Sequence, residues 1–380
     1  MNDWLDWPFL EDRHRELHIR LSDWCGDNID EHHSGDVDAE CRSLVRALGR
    51  AGLLKLCVAD GDKLPDVRSL AIARALLASC SGLADFAFAM QGLGSGAISL
   101  FGSAEQKAQW LPKVASGEAI AAYALTEPET GSDAANIAMR GERTADGWVL
   151  TGEKSYISNG TIADVLTVFA RTGPAEDGAR GIGAFIVRGD DPGLTVAERI
   201  EVIAPHPLAR LKFDGVRADL IGNEDEGFKI AMQTLNLFRV TVGAAAAGFA
   251  ARALNEAIQF ATTRKLGTGT LADNAVTQEK LGEMATSIDA SALLIARAAW
   301  QQDMGNTDNR RAAAMAKLHA TEEAQKVIDM AVQMHGGLGV TKGAKVEELY
   351  REIRALRIYE GASEVQKMII ARDLLKEHGA

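Results

Sequence analysis

Cysteine is scarce in this sequence of 380 residues, and all four cysteines fall in its first quarter. They are Cys25, Cys41, Cys57 and Cys80, and their spacing is not that of metal ligands. The sequence also lacks a secretory leader at its start. We therefore expect reduced thiols in a cytoplasmic protein and no metal site.

Basic residues are in deficit as well. Lysine and arginine number 41 against 53 aspartates and glutamates, which gives a net charge of −12. This balance excludes a general attraction to nucleic acid or to an anionic membrane, so an anionic ligand needs locally placed cations and backbone donors. Long apolar runs are missing too, because none approaches the roughly 20 residues that span a bilayer. Neither nucleic acid nor membrane is expected among the partners.

The composition is otherwise that of an ordinary globular protein, with 47% hydrophobic and 25% charged residues. A chain of this length predicts two or three packed subdomains. Helical spacing of apolar residues dominates residues 1–119, short β-branched runs occupy residues 120–224, and alanine-rich helical stretches occupy residues 225–380. The predicted order is a helical layer, an antiparallel barrel or sandwich, and a tight helical bundle that leaves faces for subunit contact.

Two segments that carry chemistry fall near the predicted strands. "YALTEPETGSD" (residues 123–133) offers hydroxyls and backbone N–H groups around a turn, as a phosphate or a flavin edge requires. In "EKSYISNG" (residues 153–160) an aromatic and a hydroxyl alternate before an Asn-Gly turn, and could stack on and bind a planar heterocycle. An ordinary turn and a structural strand with a hairpin turn are the alternatives.

Two further segments lie among the C-terminal helices. In "QMHGGLGVT" (residues 333–341) a helix ends at about His335, and Gly336 and Gly337 either only stop it or bring the backbone close to a pyrophosphate. In "RIYEG" (residues 357–361) Glu360 stands beside a glycine at a helix end. A buried carboxylate with a raised pKa there suits a general base, whereas the alternative is a solvated glutamate.

The segments together resemble one family over essentially the whole chain. "TEPETGSD", "YISNG", "FRVTVGAAAAGFA", "QMHGGLGV" and "YREIRALRIYEGASEVQ", in this order and at these separations, resemble the acyl-CoA dehydrogenases. The resemblance implies an α+β fold with an N-terminal helical domain, a central β-barrel and a C-terminal four-helix bundle. In appearance the chain is most similar to bacterial members of alicyclic and aromatic acid breakdown.

The resemblance also implies roles for particular residues. Glu360 matches the catalytic base of the family, and Thr126 and Ser132 match hydrogen-bonding members of the segment that lines the flavin and the thioester. Substrate contacts are implied for Ser132, Asn236, Arg239, Tyr359 and Gly361. Contacts with FAD are implied for Tyr123, Leu125, Thr126, Gly131, Ser132, Tyr156, Ile157, Ser158, Arg264, Gln333, Gly336, Gly337, Ala362 and Glu364.

The implied reaction is an α,β-dehydrogenation. Glu360 removes the α-proton of an acyl-CoA thioester while its own N–H and a flavin ribityl hydroxyl hold the enolate oxygen, and the β-hydrogen leaves as hydride to the flavin. The product is a trans-2-enoyl thioester, and the electrons pass to an electron-transferring flavoprotein. Gln333 to Gly337 resemble a segment that reaches the FAD of a neighbouring subunit, so a dimer or a homotetramer is implied.

The sequence departs from the family pattern in two places. Asn236 stands where the family often has an acid three residues before Arg239. In "RKLGTGTLADNAVTQ" (residues 264–278) only Arg264 matches, because Gly267, Thr268 and Ala275 replace a Phe-Gly pair and a glutamine that hold FAD, with Gln278 one turn further on. Another chemistry on this fold therefore stays open, namely an oxidase, a desulfinase or a dehydrogenase linked to acyl-carrier protein, as does a flavin-free scaffold.

Overall fold

Helices begin and end the chain, and strands occupy its middle. The computed structural model of the protein describes residues 3–29, 35–306 and 309–379. The α-helices within these ranges are α1 (Asp12–Asn28), α2 (Val37–Arg50), α3 (Val67–Cys80), α4 (Gly82–Phe101), α5 (Ala104–Ser116), α6 (Gly227–Thr263), α7 (Ala275–Asp303), α8 (Arg310–His335), α9 (Lys345–Leu356) and α10 (Ser363–Glu377). The β-strands are β1 (Ala121–Ala124), β2 (Arg140–Thr144), β3 (Gly147–Ser158), β4 (Val165–Arg171), β5 (Ile182–Arg188), β6 (Leu194–Arg199), β7 (Leu208–Ile221), β8 (Lys265–Leu266) and β9 (Gly269–Thr270).

Local sequence sets where several helices begin and end. Asp36 accepts a hydrogen bond from the Ala39 N–H (3.1 Å) at the start of α2, and Ser103 accepts one from the Gln106 N–H (3.2 Å) at the start of α5. Helix α5 ends at Gly117, whose φ of 73° is a left-handed conformation that glycine adopts without steric penalty. These boundaries follow from residues that lie next to each other in the chain.

Five strands close into the predicted barrel. Pairing runs in the order β4, β2, β3, β7 and β5 and returns from β5 to β4, while β1 is added to β4 and β6 to β7. Most of these pairs are antiparallel, but β1 and β2 both run parallel to β4. The parallel pairs arise because β4 follows β1 and β2 by crossover connections instead of tight turns.

The barrel also packs against helices, and β4 shows how one strand serves both layers. All seven residues of β4 are buried. Leu166, Val168 and Ala170 belong to the hydrophobic cluster inside the barrel, whereas Val165 and Phe169 pack in a second cluster with residues of α4 and α5. Successive side chains of a strand point to opposite faces, so a strand buried on both faces reads as a continuous apolar run.

The described chain divides into two compact units, each assembled from separate stretches of sequence. Unit 1 consists of Met1–Ile29, Asp66–Asp85 and Arg239–Ala380, and unit 2 consists of Asp30–Pro65 and Phe86–Phe238. Unit 1 is helical and unit 2 contains the barrel. The division into residues 1–119, 120–224 and 225–380 is a division along the sequence, and as a division into domains it stays a prediction.

Small residues allow close helix packing within each unit. In unit 1, a Cβ atom at Gly248 of α6 would overlap the carbonyl group of Ala75 on α3. In unit 2, Cβ atoms at Gly92 and Gly96 of α4 would overlap the ring of Phe238, so these glycines make room for an aromatic side chain. The prediction that small residues bring the C-terminal helices close together is confirmed at Gly243 of α6, where a Cβ atom would lie 3.2 Å from the Ala316 carbonyl oxygen of α8.

Helix α6 is the one described helix that is long and apolar enough to cross a membrane. Its most apolar window has a mean hydropathy of 1.3, but 83% of that window is buried inside the protein. Burial of this extent is typical of a core helix.

Candidate active site

Glu360 lies in the short loop of unit 1 between α9 and α10, and its backbone is strained. Its φ is 52°, and Tyr156, Asn159 and Glu360 are the three non-glycine residues of the described chain with positive φ. A left-handed non-glycine residue costs roughly 1–3 kcal/mol and such strain is concentrated at functional sites. The Glu360 Oε2 atom is buried and has no hydrogen-bond partner among the described residues. The alternative of a solvated helix-end glutamate is therefore wrong.

A buried ion pair faces this carboxyl group. The Arg74 guanidinium donates to both Asp85 carboxylate oxygens (2.9 and 2.8 Å) and to Thr241 Oγ1 (3.1 Å). Burial by itself lowers the pKa of Arg74, but the Asp85 carboxylate raises it above its ordinary value. Arg74 thus stays charged and adds a fixed positive potential at Glu360, which Asp85 partly cancels.

Burial raises the pKa of Glu360 above its ordinary value, while the cations Arg74, Lys317 and Arg239 offset part of the rise. Arg239 has 6% of its surface exposed, and burial lowers its pKa while Glu360 raises it. Lys317 on α8 is fully enclosed and donates to the Gly361 carbonyl oxygen (2.8 Å). Unit 1 therefore brings Arg239 and Glu360, both predicted from the sequence, into one electrostatic cluster.

The other predicted residues of this loop have distinct positions. Tyr359 has 37% of its surface accessible, although desolvation by the surrounding protein raises its pKa. Gly361 has a φ of 92°, and a Cβ atom there would overlap the Gln366 side chain. Ala362 is the N-cap of α10 and Glu364 lies in its first turn. The prediction of a loop over Ala362 to Glu364 is thus wrong beyond Ala362, because the chain there already forms a helix.

Unit 2 contains the predicted segment at the end of β1. The Tyr123 hydroxyl donates to the Ala231 carbonyl oxygen (3.2 Å) and its ring packs against Phe169, with 5.1 Å between ring centroids. Thr126 is half-buried, and Gly131 and Ser132 are exposed. The N–H groups of Gly131 and Ser132 and the Ser132 hydroxyl are therefore accessible to a ligand, whereas the phenol of Tyr123 is engaged within the protein.

A buried ion pair fixes this segment to β3. Lys154 is fully enclosed and donates to Glu127 Oε1 (2.8 Å) and to the Leu125 carbonyl oxygen (2.9 Å). Glu127 also accepts from the backbone N–H groups of Ala138 (2.6 Å) and Met139 (3.0 Å). Burial lowers the pKa of Lys154 to about 8, although Glu127 raises it. The pair holds Leu125 beside the strand that carries Tyr156.

The strand residues predicted to face a flavin differ in orientation. Tyr156 is 62% exposed with a φ of 57°, so its ring is available for stacking. The Ile157 side chain belongs to the barrel core, which leaves only its backbone for a ligand, and Ser158 is half-buried. Asn159 is enclosed and donates to the Ala121 carbonyl oxygen (3.0 Å). The Asn-Gly sequence closes no hairpin, because β3 pairs with β2 and β7.

The predicted pyrophosphate segment lies at the end of α8 in unit 1. Helix α8 ends at His335 as predicted, and Gln333, Gly336 and Gly337 are exposed. A Cβ atom at Gly336 or Gly337 would meet no other atom within 4 Å, so packing within the described chain does not require these glycines. Open backbone of this kind can approach a phosphate closely.

Residues 264–278, where the sequence departs from the family pattern, form a small hairpin followed by the start of α7. Arg264 is exposed, and β8 and β9 form a small hairpin whose turn is Gly267-Thr268, with a φ of 59° at Gly267. Ala275 is the exposed first residue of α7. The Gln278 amide donates to the Ala272 carbonyl oxygen (3.0 Å), so in this structure it supports its own chain.

Sequence reasoning missed charged groups in each unit, namely Arg74, Asp85 and Lys317 around Glu360 in unit 1 and Glu127 and Lys154 beside the segment after β1 in unit 2. Lys317 and Arg74 could have been noticed, because each interrupts a run of small and apolar residues on the buried face of its helix. Asn236 is half-buried on α6 within unit 2. No three His, Cys, Asp or Glu side chains in the part of the chain described here are grouped so as to hold a metal ion.

Comparison with known proteins identifies the family. The models of the acyl-CoA dehydrogenase N-terminal, middle and C-terminal domains match residues 11–118, 122–216 and 225–375. The chain is 38% identical over 283 residues to a 3-(aryl)acrylate reductase of Clostridium sporogenes, covering 73% of this chain and 74% of that protein. It is 35% identical over 377 residues to the mitochondrial short-chain specific acyl-CoA dehydrogenase of Bos taurus, covering 96% and 91%.

Solved structures agree with these matches. Butyryl-CoA dehydrogenase from Megasphaera elsdenii superposes with a TM-score of 0.88 at 30% identity, covering 96% of this chain and 99% of that one. A glutaryl-CoA dehydrogenase from Mycobacterium smegmatis, solved in complex with FADH2, superposes with a TM-score of 0.85 at 26% identity, covering 96% and 95%. The predicted fold and enzyme class are confirmed, and the chain belongs to the acyl-CoA dehydrogenase family of oxidoreductases.

Proposed function

We propose that this protein binds FAD and catalyses the α,β-dehydrogenation of an acyl-CoA thioester, with Glu360 as the base that removes the α-proton. The observation that carries the proposal is the buried Glu360 Oε2 atom without a partner, on a strained backbone, among the cations Arg74, Arg239 and Lys317. A carboxylate that makes no hydrogen bond in the resting protein keeps a lone pair for a proton from outside the chain.

The raised pKa of Glu360 suits this role. A base whose pKa lies nearer the working pH retains the proton that it takes, which improves transfer from a weakly acidic carbon. The surrounding cations favour the ionised form of the carboxyl group, which is the form that accepts a proton. The Glu360 N–H is proposed to donate to the thioester oxygen, where negative charge develops as the proton leaves.

Each unit by itself exposes groups of the kinds that FAD requires. In unit 2, Tyr156 offers an accessible aromatic ring, and Gly131 and Ser132 offer N–H and hydroxyl donors. In unit 1, Gly336 and Gly337 offer open backbone for phosphate. Arg264 adds an exposed cation. FAD, when bound, supplies the acceptor for the hydride that leaves the β-carbon.

The acyl group is proposed to be aromatic or alicyclic. Support comes from the appearance of the sequence and from the similarity to the Clostridium sporogenes protein, whose name gives an aryl-substituted acid. That relative is named a reductase, which favours a second candidate function: reduction of a 2-enoyl thioester, for which reduced FAD would supply the hydride to the β-carbon. In that direction Glu360 returns a proton to the α-carbon, because a base for one direction is the acid for the other.

The proposed setting follows the family. The electron acceptor is proposed to be an electron-transferring flavoprotein, the assembly a homodimer or homotetramer, and the location the cytoplasm. The accessible surfaces of Gln333, Gly336 and Gly337 support a contribution of this segment to a site on a neighbouring subunit.

Visible absorbance of the purified protein tests the proposal. The protein is expected to carry an oxidised flavin band that bleaches on anaerobic addition of one member of a panel of linear, branched, aryl and cyclic acyl-CoAs. Bleaching by dithionite followed by recovery on addition of a 2-enoyl-CoA would identify the reductase direction. Peroxide production in air would indicate an oxidase. A protein that stays colourless after incubation with FAD would overturn the proposal.

A further inference from the structure

Lys317 is a buried lysine that packing alone does not explain. It lies on α8 with none of its surface exposed, and its ammonium donates to the Gly361 carbonyl oxygen (2.8 Å). Lysine is almost never fully buried unless it is paired. The same carbonyl oxygen already accepts from Gln366 Nε2 (2.8 Å), so it needs no second donor. A fold that only had to satisfy Gly361 would not require a cation at this position.

Helix α8 holds the Glu360 loop at two points. Glu322, five residues beyond Lys317, accepts from Arg357 (3.0 and 2.7 Å) at the start of the loop and from the Ser363 hydroxyl (2.5 Å) at its end. Lys317 donates to the carbonyl oxygen of Gly361, the residue that directly follows Glu360. The left-handed conformations of Glu360 and Gly361 therefore lie between two contacts from one rigid helix.

Lys317 also acts on the charge of Glu360. Burial lowers the pKa of Lys317 to about 8, the Glu360 carboxylate raises it and Arg239 lowers it further. The Lys317 cation in turn opposes the rise in the pKa of Glu360. The charged and titratable groups that face these two residues from the surrounding elements are Arg74 on α3, Asp85 on α4, Arg239 on α6, Glu322 on α8, Tyr359 in the loop and Glu364 on α10.

We propose that Lys317 is a positioning residue for Glu360: it fixes Gly361, and through it Glu360, in their left-handed conformations and supplies a positive charge that favours the ionised form of the carboxylate. The inference rests on the proposed role of Glu360 as the base. Lys317 acts through the main chain, by its hydrogen bond to the Gly361 carbonyl oxygen, and through its charge.

Three variants separate the two contributions. Lys317→Met removes both the donor and the charge, Lys317→Gln keeps a donor without the charge, and Lys326→Met is the control. Lys326 lies on the same helix with 61% of its side chain exposed and pairs only with Glu323 on the surface. Each variant is purified with FAD, and kcat/KM is measured from pH 5.5 to 9 with the acyl-CoA that bleaches the wild type.

The pH profile carries the test. Activity rises with pH as Glu360 ionises, and this rise forms the acid limb of the pH profile. Loss of the Lys317 charge should move the acid limb to higher pH by about one unit in both Lys317 variants. At pH 7 Lys317→Met should lose up to about 100-fold in kcat/KM, as expected when a reacting group is misplaced, and Lys317→Gln should lose less. The thermal midpoint of Lys317→Met should stay close to that of the wild type, because the Gly361 carbonyl oxygen keeps its hydrogen bond from Gln366 Nε2. Lys326→Met should match the wild type throughout.

An independent readout avoids the cofactor. Infrared spectra of wild-type and Glu360→Gln protein, subtracted at each pH, report ionisation of the Glu360 carboxyl in the absence of substrate, and the same subtraction on the Lys317→Met background should show a higher pKa. An unmoved acid limb, or a loss of activity that accompanies a lower thermal midpoint at every pH, would overturn the inference. If Glu360→Gln itself retains full activity, the proposed base is wrong, which is a separate outcome.

Discussion

Replacing Lys154 with methionine is expected to destabilise the barrel by about 3 kcal/mol, and replacing Glu127 with glutamine by about 5 kcal/mol. These values are the two ends of the range for removing one partner of a buried ion pair. The difference comes from what each change leaves behind. Without Lys154, the Glu127 carboxylate keeps two backbone N–H donors, from Ala138 and Met139. With glutamine at position 127, the amide oxygen can still accept a hydrogen bond, but no carboxylate offsets the buried Lys154 charge, and in either orientation the amide N–H₂ group faces a backbone N–H donor.

The double variant makes the reasoning sharper. Lys154→Met with Glu127→Gln contains no buried charge at this point, so its loss of stability should be at least about 2 kcal/mol smaller than the sum of the single losses. The assay is equilibrium urea unfolding of the FAD-free protein, followed by circular dichroism and tyrosine and tryptophan fluorescence. Lys113→Met, which changes a surface lysine over the Trp110 ring, is the control and should cost less than about 1 kcal/mol. Additive losses, or a Lys154→Met variant as stable as the control, would refute the account of this pair.

Two further predictions concern the site itself. Asp85→Asn removes a carboxylate that faces Glu360 and leaves the Arg74 charge unpaired, so the acid limb of the kcat/KM profile should move to lower pH, the reverse of the Lys317 variants. The free energy of unfolding should fall by about 3–5 kcal/mol, because a buried ion pair is broken. An acid limb that moves to higher pH would contradict this account. Ala275→Gln restores an amide at an exposed helix position and should tighten FAD binding by about 2–10-fold, the value of one hydrogen bond, in a fluorescence titration. The neighbouring exposed Val276→Gln should leave FAD affinity unchanged.

The elements and the catalytic candidate could be predicted because their signals are local. Apolar spacing gives the helices, alternating runs give the strands, and the glycine after Glu360 indicates a tight helix end. The prediction of helix is confirmed for α4, although it contains Gly92, Gly94 and Gly96 and glycine disfavours a helical conformation. Burial against Phe238 at two of these positions outweighs that cost, since tertiary packing overrides a weak propensity.

The surroundings of Glu360 could not be predicted because they depend on contacts between distant residues. Arg74 meets Thr241 across 167 positions of sequence, and Lys317 meets Gly361 across 44. The orientation of Ile157 into the barrel follows from the pairing of β3 with β7. The register of this pairing shifts between Leu150 and Gly152 and again between Lys154 and Ile157. A shift of one residue exchanges the two faces of a strand, so spacing in the sequence does not fix which side chain meets a ligand.

The central claim is that Glu360 removes the α-proton, and stopped-flow reduction of the bound flavin tests it most directly. Wild-type and Glu360→Gln protein, both loaded with FAD, are mixed anaerobically with the acyl-CoA that bleaches the wild type. The account predicts that both bind the acyl-CoA, seen as a shift of the flavin band, and that reduction is slower in the variant by about 10²–10⁴-fold, the usual contribution of a positioned base. Reduction at the wild-type rate in the variant would contradict the account and assign the base to another residue.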